Sequence, residues 1–408
     1  MRSLFIICLV ALSCVQQGMA GEPPRAEIMH FWVSPSEQAA LRVLKQRLTA
    51  AGGQWIETAL PNLNSLRSEV IDRIAEGLPP TIMQWHAGSN ITELAELDLV
   101  ADLEPIAQRQ NWRSLLPQVV LDSVTYQDRF VVVPVNAHGE NWAWYNRTIY
   151  RKLNLDYPRS WTEFLGQAPI IQKAGFLPLA ISASSWEIRL LFTDILLAAG
   201  GRTAYEHLIY DDQATERDLS VLRQTLTILG DLRHYKPTSP SPQTWDEATR
   251  LVIDDLAAVQ FMGDWAKGEF LKAGKRLGQD FDCRLAPGSG PIYVIVIDAF
   301  AFAKTNDPSQ QKAQQLIAEE ILSPAIQTAF NLAKGSVPVT TNVNPELFDE
   351  CAQIALKAIR EGKHLVPAPS LLSTKLQSGL LDAQLLEFWN DATLSVEQVM
   401  TRLAAERQ

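Results

Sequence analysis

Apolar and polar residues alternate along this chain in blocks that read as strand, helix, strand. Glu27 to Val33 is a short apolar run that predicts a buried strand. A helix is predicted directly after it, with Ser34 as N-cap, Pro35 at the first helical position, Glu37 three residues beyond the cap, and Leu41, Leu44 and Leu48 on one face. Gly52-Gly53 stops that helix, and Trp55 to Thr58 predicts a second strand, completing the unit from which parallel sheets are built. The alternation continues with a helix carried by Leu66, Val70, Ile71 and Ile74, a stop at Gly77 and Pro79-Pro80, and a strand over Thr81 to Trp85. Phe130 to Val135 is a continuous apolar run ending beside Asn136 and His138, and polar residues at a strand's carboxyl end lie where open α/β sheets bind ligands.

Beyond residue 147 the pattern is mostly helical, clearest over Trp161 to Leu165, Ile188 to Ala199 and Leu219 to Leu232. Ile292 to Phe302 is again strand-like, and 367–408 is helical with Leu385, Phe388 and Trp389 on one face. The fold class is therefore α/β. A chain of 408 residues exceeds the ~250 to 300 at which single cores stop growing, so two lobes are expected.

The N-terminus changes this picture. Arg2, the apolar run Leu4 to Leu12 and the small-residue site Gly18-Met19-Ala20 have the layout of a secretory signal over 1–20, cleaved after Ala20. The alternative is a lipoprotein with Cys14 as its lipid-bearing residue, which Ala11-Leu12-Ser13 fits poorly. Removal of 1–20 takes Cys8 and Cys14 with it and leaves Cys283 and Cys351 in an oxidising compartment, where one disulfide is the natural reading and two buried thiols the alternative. With Arg2 gone, 35 basic residues face 46 acidic ones, and a charge of −11 argues against nucleic acid as a partner.

No phosphate-cradling loop, dinucleotide fingerprint, H-E-x-x-H helix or G-x-S-x-G elbow is present, and the six histidines lack metal-ligand spacing; neither metal nor cofactor is expected. The chain instead has eleven tryptophans, and Trp32, Trp85, Trp142, Trp186, Trp245 and Trp265 stand beside polar residues. A pyranose presents C–H faces to an aromatic ring and a rim of hydroxyls to Asp, Asn, Gln and Lys heads. Stacking is worth about 0.5 to 1.5 kcal/mol, whereas micromolar affinity is about −8 kcal/mol, so a sugar site must also gather several charged hydrogen bonds of roughly 1.5 to 3 kcal/mol.

Phe261-Met262-Gly263-Asp264-Trp265-Ala266-Lys267-Gly268-Glu269-Phe270 resembles a signature of the glucose/mannose-type sugar-binding proteins of ABC importers. Val133 to His138 with Asn141-Trp142, Val296 to Phe300 and Phe330 to Pro338 extend the resemblance over nearly the whole mature chain. It implies a periplasmic-binding-protein fold, two α/β lobes with a hinge and several crossings, lobe one holding 21–134 plus 296–338 and lobe two 135–295 plus 339–408. It further implies a monomeric periplasmic protein that passes a small sugar to an inner-membrane ABC permease. Carried over by motif, Trp32 would stack on the sugar, Glu37 would accept hydroxyls in competition with its capping role, and Gln84, His86 and His138 would reach the sugar. Trp245 and Trp265 would form the wall of lobe two, with Trp186 a further candidate, while Asp298 and Lys334 would accept and donate from lobe one.

The chain departs from the pattern at Phe31 to Glu37, at Pro61 to Ser65 in place of a Gly-rich loop, at Gly139-Glu140 where a basic residue often stands, and at Leu371 in place of a histidine. The rival readings are a glycoside hydrolase using Asp264 and Asp298, and the same fold holding a polyamine or sugar conjugate.

Overall fold

The computed structural model describes residues 22–210, 213–237, 241–372 and 375–405; the predicted signal segment 1–20, with Cys14, falls outside them. Ten of its described strands form two sheets. β1 (Arg25–His30), β2 (Gln54–Ala59), β3 (Ile82–His86), β6 (Val133–Gly139), β11 (Tyr293–Phe302) and β12 (Leu365–Pro367) make the first, and β7 (Trp142–Asn146), β8 (Leu177–Ala180), β9 (Ala257–Phe261) and β10 (Phe281–Leu285) the second. The remaining strands, β4 (Thr125–Tyr126) and β5 (Arg129–Phe130), form a separate hairpin.

The helices that matter here are α1 (Pro35–Ala50), α2 (Leu63–Ala75), α3 (Trp161–Lys173), α4 (Ser185–Ile209), α5 (Glu216–Leu232), α6 (Trp245–Ile253), α7 (Ala266–Lys272), α8 (Pro308–Ile321), α9 (Pro324–Lys334), α10 (Glu350–Glu361) and α11 (Lys375–Asn390). β1, α1, β2, α2 and β3 repeat the predicted alternation, with β1 parallel to both β2 and β3. α1 starts where the capping box places it, since Ser34 Oγ accepts from Glu37 N while Glu37 Oε2 accepts from Ser34 N at 3.0 Å. α1 packs against α9 and α8 against β1, so helices cover the first sheet.

β11 runs antiparallel to β6 and β3 and parallel to β12. The apolar run predicted as one strand divides, because Val131 and Val132 turn out of the hairpin before β6 begins, and β6 then continues through Asn136 and His138 to Gly139. The chain leaves the first sheet at Gly139 and enters the second at Trp142, so Glu140-Asn141 forms the first passage between them. The second lies between β10 and β11. β12, expected with lobe two, pairs with β11 in the first sheet, after which α11 packs on α4 of the second lobe.

Cys283 on β10 and Cys351 on α10 form the disulfide, enclosing a separation of 68 residues. Among the described residues no helix is long and apolar enough to cross a membrane.

Candidate functional site

The two sheets meet at the β6–β7 crossing, and a polar row lies beside it. Gln84 and His86 on β3, Asp298 on β11, and Asn136 and His138 on β6 share one face of the first sheet. The register sets this, with His86 and Asn136 both opposite Asp298, His138 opposite Val296, and Gln84 opposite Phe300. Central strands normally carry apolar residues on both faces. A buried polar row there needs partners.

Some partners are internal. His86 Nε2 stands 3.4 Å from Asp298 Oδ1, and His138 Nε2 3.3 Å from Asp298 Oδ2. The amide of Asn136 lies 2.6 Å from the same His138 nitrogen. His138 Nδ1 is hydrogen-bonded to Asp264 Oδ1, while Asp264 Oδ2 accepts from Gly139 N at 3.1 Å and from Tyr293 Oη at 3.3 Å. The resulting chain His86, Asp298, His138, Asp264 runs from the first lobe into the loop that follows β9 of the second.

Burial opposes charge on His138, but Asp264 and then Asp298 outweigh it and hold its pKa above the ordinary histidine value. Burial alone would raise Asp298; hydrogen bonding and charge from His138, with help from His86 and Lys334, bring it down to about 2. For His86 burial wins over the attraction of Asp298 and lowers the ring to about 4, so at neutral pH it is an uncharged imidazole. Its Nδ1, the Gln84 Nε2 and the Asn136 Oδ1 are buried without hydrogen-bond partners.

Two half-buried tryptophans lie beyond His138. Trp265 is half-buried, its ring edge-on to His138 with centroids 5.2 Å apart, and Trp186 at the start of α4 lies 6.0 Å from it. Gly263 is needed for this placement, since a Cβ there would come within 2.1 Å of the Trp265 ring. The loop is laced to the crossing by Met262 N to Trp142 O and Asp264 N to Gly139 O, each 3.0 Å.

Three other expected residues, Trp32, Glu37 and Lys334, are already engaged inside the protein. Trp32 is only 1 % exposed, packed against Phe300 and Phe330 with the Lys334 ammonium 5.5 Å from its ring centroid. Its ring is enclosed in the core rather than offered to a ligand. Glu37 caps α1 through Val33 N and Ser34 N and pairs with Lys334 Nζ at 3.1 Å, so both charges are satisfied inside the protein. Trp245 opens α6 half-buried, and its carbonyl accepts from Thr249 Oγ1 and Gln260 Nε2. Trp85 and Trp142 are core residues.

Asp264, Asn136 and Glu269 have roles that the site list drawn from the sequence omitted. Glu269 Oε1 accepts from Ser36 N at 2.9 Å, tying α7 to the N-terminus of α1, where a carboxylate also complements the helix dipole. A Cβ on Gly268 would meet the Lys334 carbonyl at 2.6 Å, so only glycine lets α7 approach α1 and α9 this closely. The signature decapeptide already held Asp264 and Glu269, and Asn136 stood in the Val133 to His138 stretch; what neither revealed was which residues face the crossing.

Residues 64–327 match the family model described as bacterial extracellular solute-binding protein. The chain belongs to that family. A probable sugar-binding periplasmic protein of Brucella melitensis is 31% identical over 356 residues, covering 87% of this chain and 84% of the relative. One of the same description in Rhizobium meliloti is 30% identical over 363 residues, 88% and 87% of the two chains. Among solved structures, a chitin oligosaccharide binding protein superposes with a TM-score of 0.81 at 16% identity, covering 95% of this chain and 98% of that one. The Thermus thermophilus maltotriose binding protein bound with maltotriose gives 0.72 at 16%, covering 94% and 98%. The fold of this solute-binding protein is accordingly the periplasmic-binding-protein fold, two α/β lobes joined at the crossings. Its relatives are binding proteins.

Proposed function

We propose that the protein is exported, captures a small saccharide between its lobes and delivers it to an ABC permease in the membrane. The observation that carries this is the pairing of a buried polar row, with Gln84 Nε2, His86 Nδ1 and Asn136 Oδ1 unpartnered, with the half-buried Trp265 and Trp186. A pyranose supplies what both sides lack: hydroxyls that donate and accept for the row, and a C–H face for the rings. The sugar-binding descriptions of the relatives agree with this chemistry. We assign lobe one to the first sheet with α1, α2, α8 and α9, and lobe two to the second sheet with α3 to α7 and α11.

Asp298 does not suit the acid of a glycoside hydrolase. That acid needs a raised pKa to carry a proton at neutral pH, and Asp298 is held at about 2. It serves instead as a fixed acceptor. On this reading closure follows because a sugar held by the row gains contacts with the second lobe only when the lobes meet.

A thermal-shift panel of monosaccharides and disaccharides tests the assignment. Ligand at 100 times its dissociation constant adds about 2.7 kcal/mol of stability, which displaces the melting curve measurably. A shift with at least one sugar is expected; none across the panel would overturn the reading.

A further inference from the structure

The polar row does not end at His138. Glu140, two residues further along the chain and within the electrostatic reach of His138, is buried at 5 % exposure, and its Oε2 has no hydrogen-bond partner. Facing it at 4.0 Å is Nη1 of Arg189, 7 % exposed and also without a hydrogen-bond partner. That separation keeps the two charges attracted but leaves neither hydrogen-bonded to the other. Arg189 is anchored on its other side, where Nε donates to Asp382 at 2.8 Å, so the free end of the guanidinium is fixed in direction. Arg189 also lies three residues after Trp186 on α4, which puts both on one helix face, toward Trp265 and the crossing.

We propose that Arg189 and Glu140 form a diol-binding subsite at the second-lobe end of the polar row: the guanidinium donates to one hydroxyl of the bound sugar and the carboxylate accepts from its neighbour. The subsite rests on the sugar-binding reading and extends it to residues that no motif assigns. A fixed donor and a fixed acceptor side by side match two adjacent sugar hydroxyls, each of which both donates and accepts. Burial pushes the Glu140 carboxyl up to about 7, against the charge of Arg189, as expected of a carboxylate short of donors. Arg189 belongs to the second lobe and Glu140 to the crossing, so the diol contact draws on both. It therefore bears on which epimers the protein accepts.

The test begins with the sugar that stabilises the wild-type protein most. Its dissociation constant is measured calorimetrically for the wild type, Arg189→Lys and Glu140→Gln, together with that of each of its monodeoxy analogues. Both variants are expected to bind the parent sugar about 10- to 100-fold more weakly, the loss of one charge-assisted hydrogen bond. One monodeoxy analogue is expected to bind the wild type about 10-fold more weakly than the parent, and Glu140→Gln is expected to bind the two alike. Folded variants with wild-type affinity, or with the wild-type discrimination among deoxy analogues, would overturn the subsite while leaving sugar binding intact.

If Arg189→Lys fails to fold because Asp382 loses its partner, Glu140→Gln, which leaves that pair in place, decides the matter. Binding of no sugar by the wild-type protein would remove both the function and the subsite.

Discussion

At the residue scale, two histidines on one sheet face have been driven in opposite directions. His138 sits between Asp264 and Asp298 and gains charge; His86 has only Asp298, at 3.4 Å, and loses it to burial. The signs of their pH effects differ accordingly. The raised pKa of His138 contributes stability that is complete below its unfolded value near 6.5 and is lost as pH rises through the folded value. Asp298, depressed to about 2, contributes stability above pH 3.8 that is lost as pH falls toward 2. His86, at about 4 in the folded protein against 6.5, lets the unfolded chain bind a proton that the folded one refuses, so stability declines as pH falls from 6.5 to 4. His86→Gln should flatten that decline by up to about 1.4 kcal/mol per pH unit. Urea unfolding of wild type and variant across this window checks it, and parallel curves would show that His86 is not buried neutral.

The sequence pointed to His86, His138, Asp298 and Trp265 as candidates because each stands in a recognisable motif, and the strand register puts the first three on one sheet face. Trp32 and Arg189 were not legible for opposite reasons. A tryptophan after a strand looks the same whether it faces a cleft or, as Trp32 does, Phe300 and Phe330. Arg189 lies in a long apolar helix with no local signal, and its direction depends on Asp382, distant in sequence.

At the scale of elements, the start of α1 concentrates three demands on few residues. Ser34 and Glu37 cap the helix, Glu269 from α7 takes a further backbone donor, and Glu37 also neutralises Lys334. Removing the hydroxyl alone, Ser34→Ala, should cost about 1 kcal/mol. Glu37→Gln should cost more, about 3 to 5 kcal/mol, because it leaves the 2 % exposed Lys334 charged and unpaired. Glu37→Gln combined with Lys334→Met should recover much of the loss. Denaturant midpoints rank the three, and a Glu37→Gln cost no larger than that of Ser34→Ala would show that the ion pair is unimportant. The helix boundary was legible because capping chemistry is local. The ion pair was not, since 297 residues separate its members.

The scale of the whole molecule is set by a chain that passes repeatedly between two sheets. The α/β class and the two lobes were legible from periodicity and length. An apolar strand can run on into polar residues when those residues line a site, as β6 does through Asn136 and His138. β12 was missed because three residues carry too little periodicity to distinguish a strand from a loop. The disulfide ties β10 to α10 across 68 residues, for which chain entropy gives roughly 4 kcal/mol. Replacing both cysteines with alanine should lower the unfolding free energy by up to that amount without altering affinity, since neither sulfur touches the polar row; a loss of binding at preserved fold would contradict this separation of scaffold and site.

Isothermal titration calorimetry of the wild-type protein and Trp265→Ala with the panel sugars addresses saccharide capture directly. The structure predicts saturable one-site binding of at least one sugar by the wild type, and a marked loss in a Trp265→Ala variant that melts normally. No binding of any sugar by the wild type, or undiminished binding by the variant, would contradict the site described.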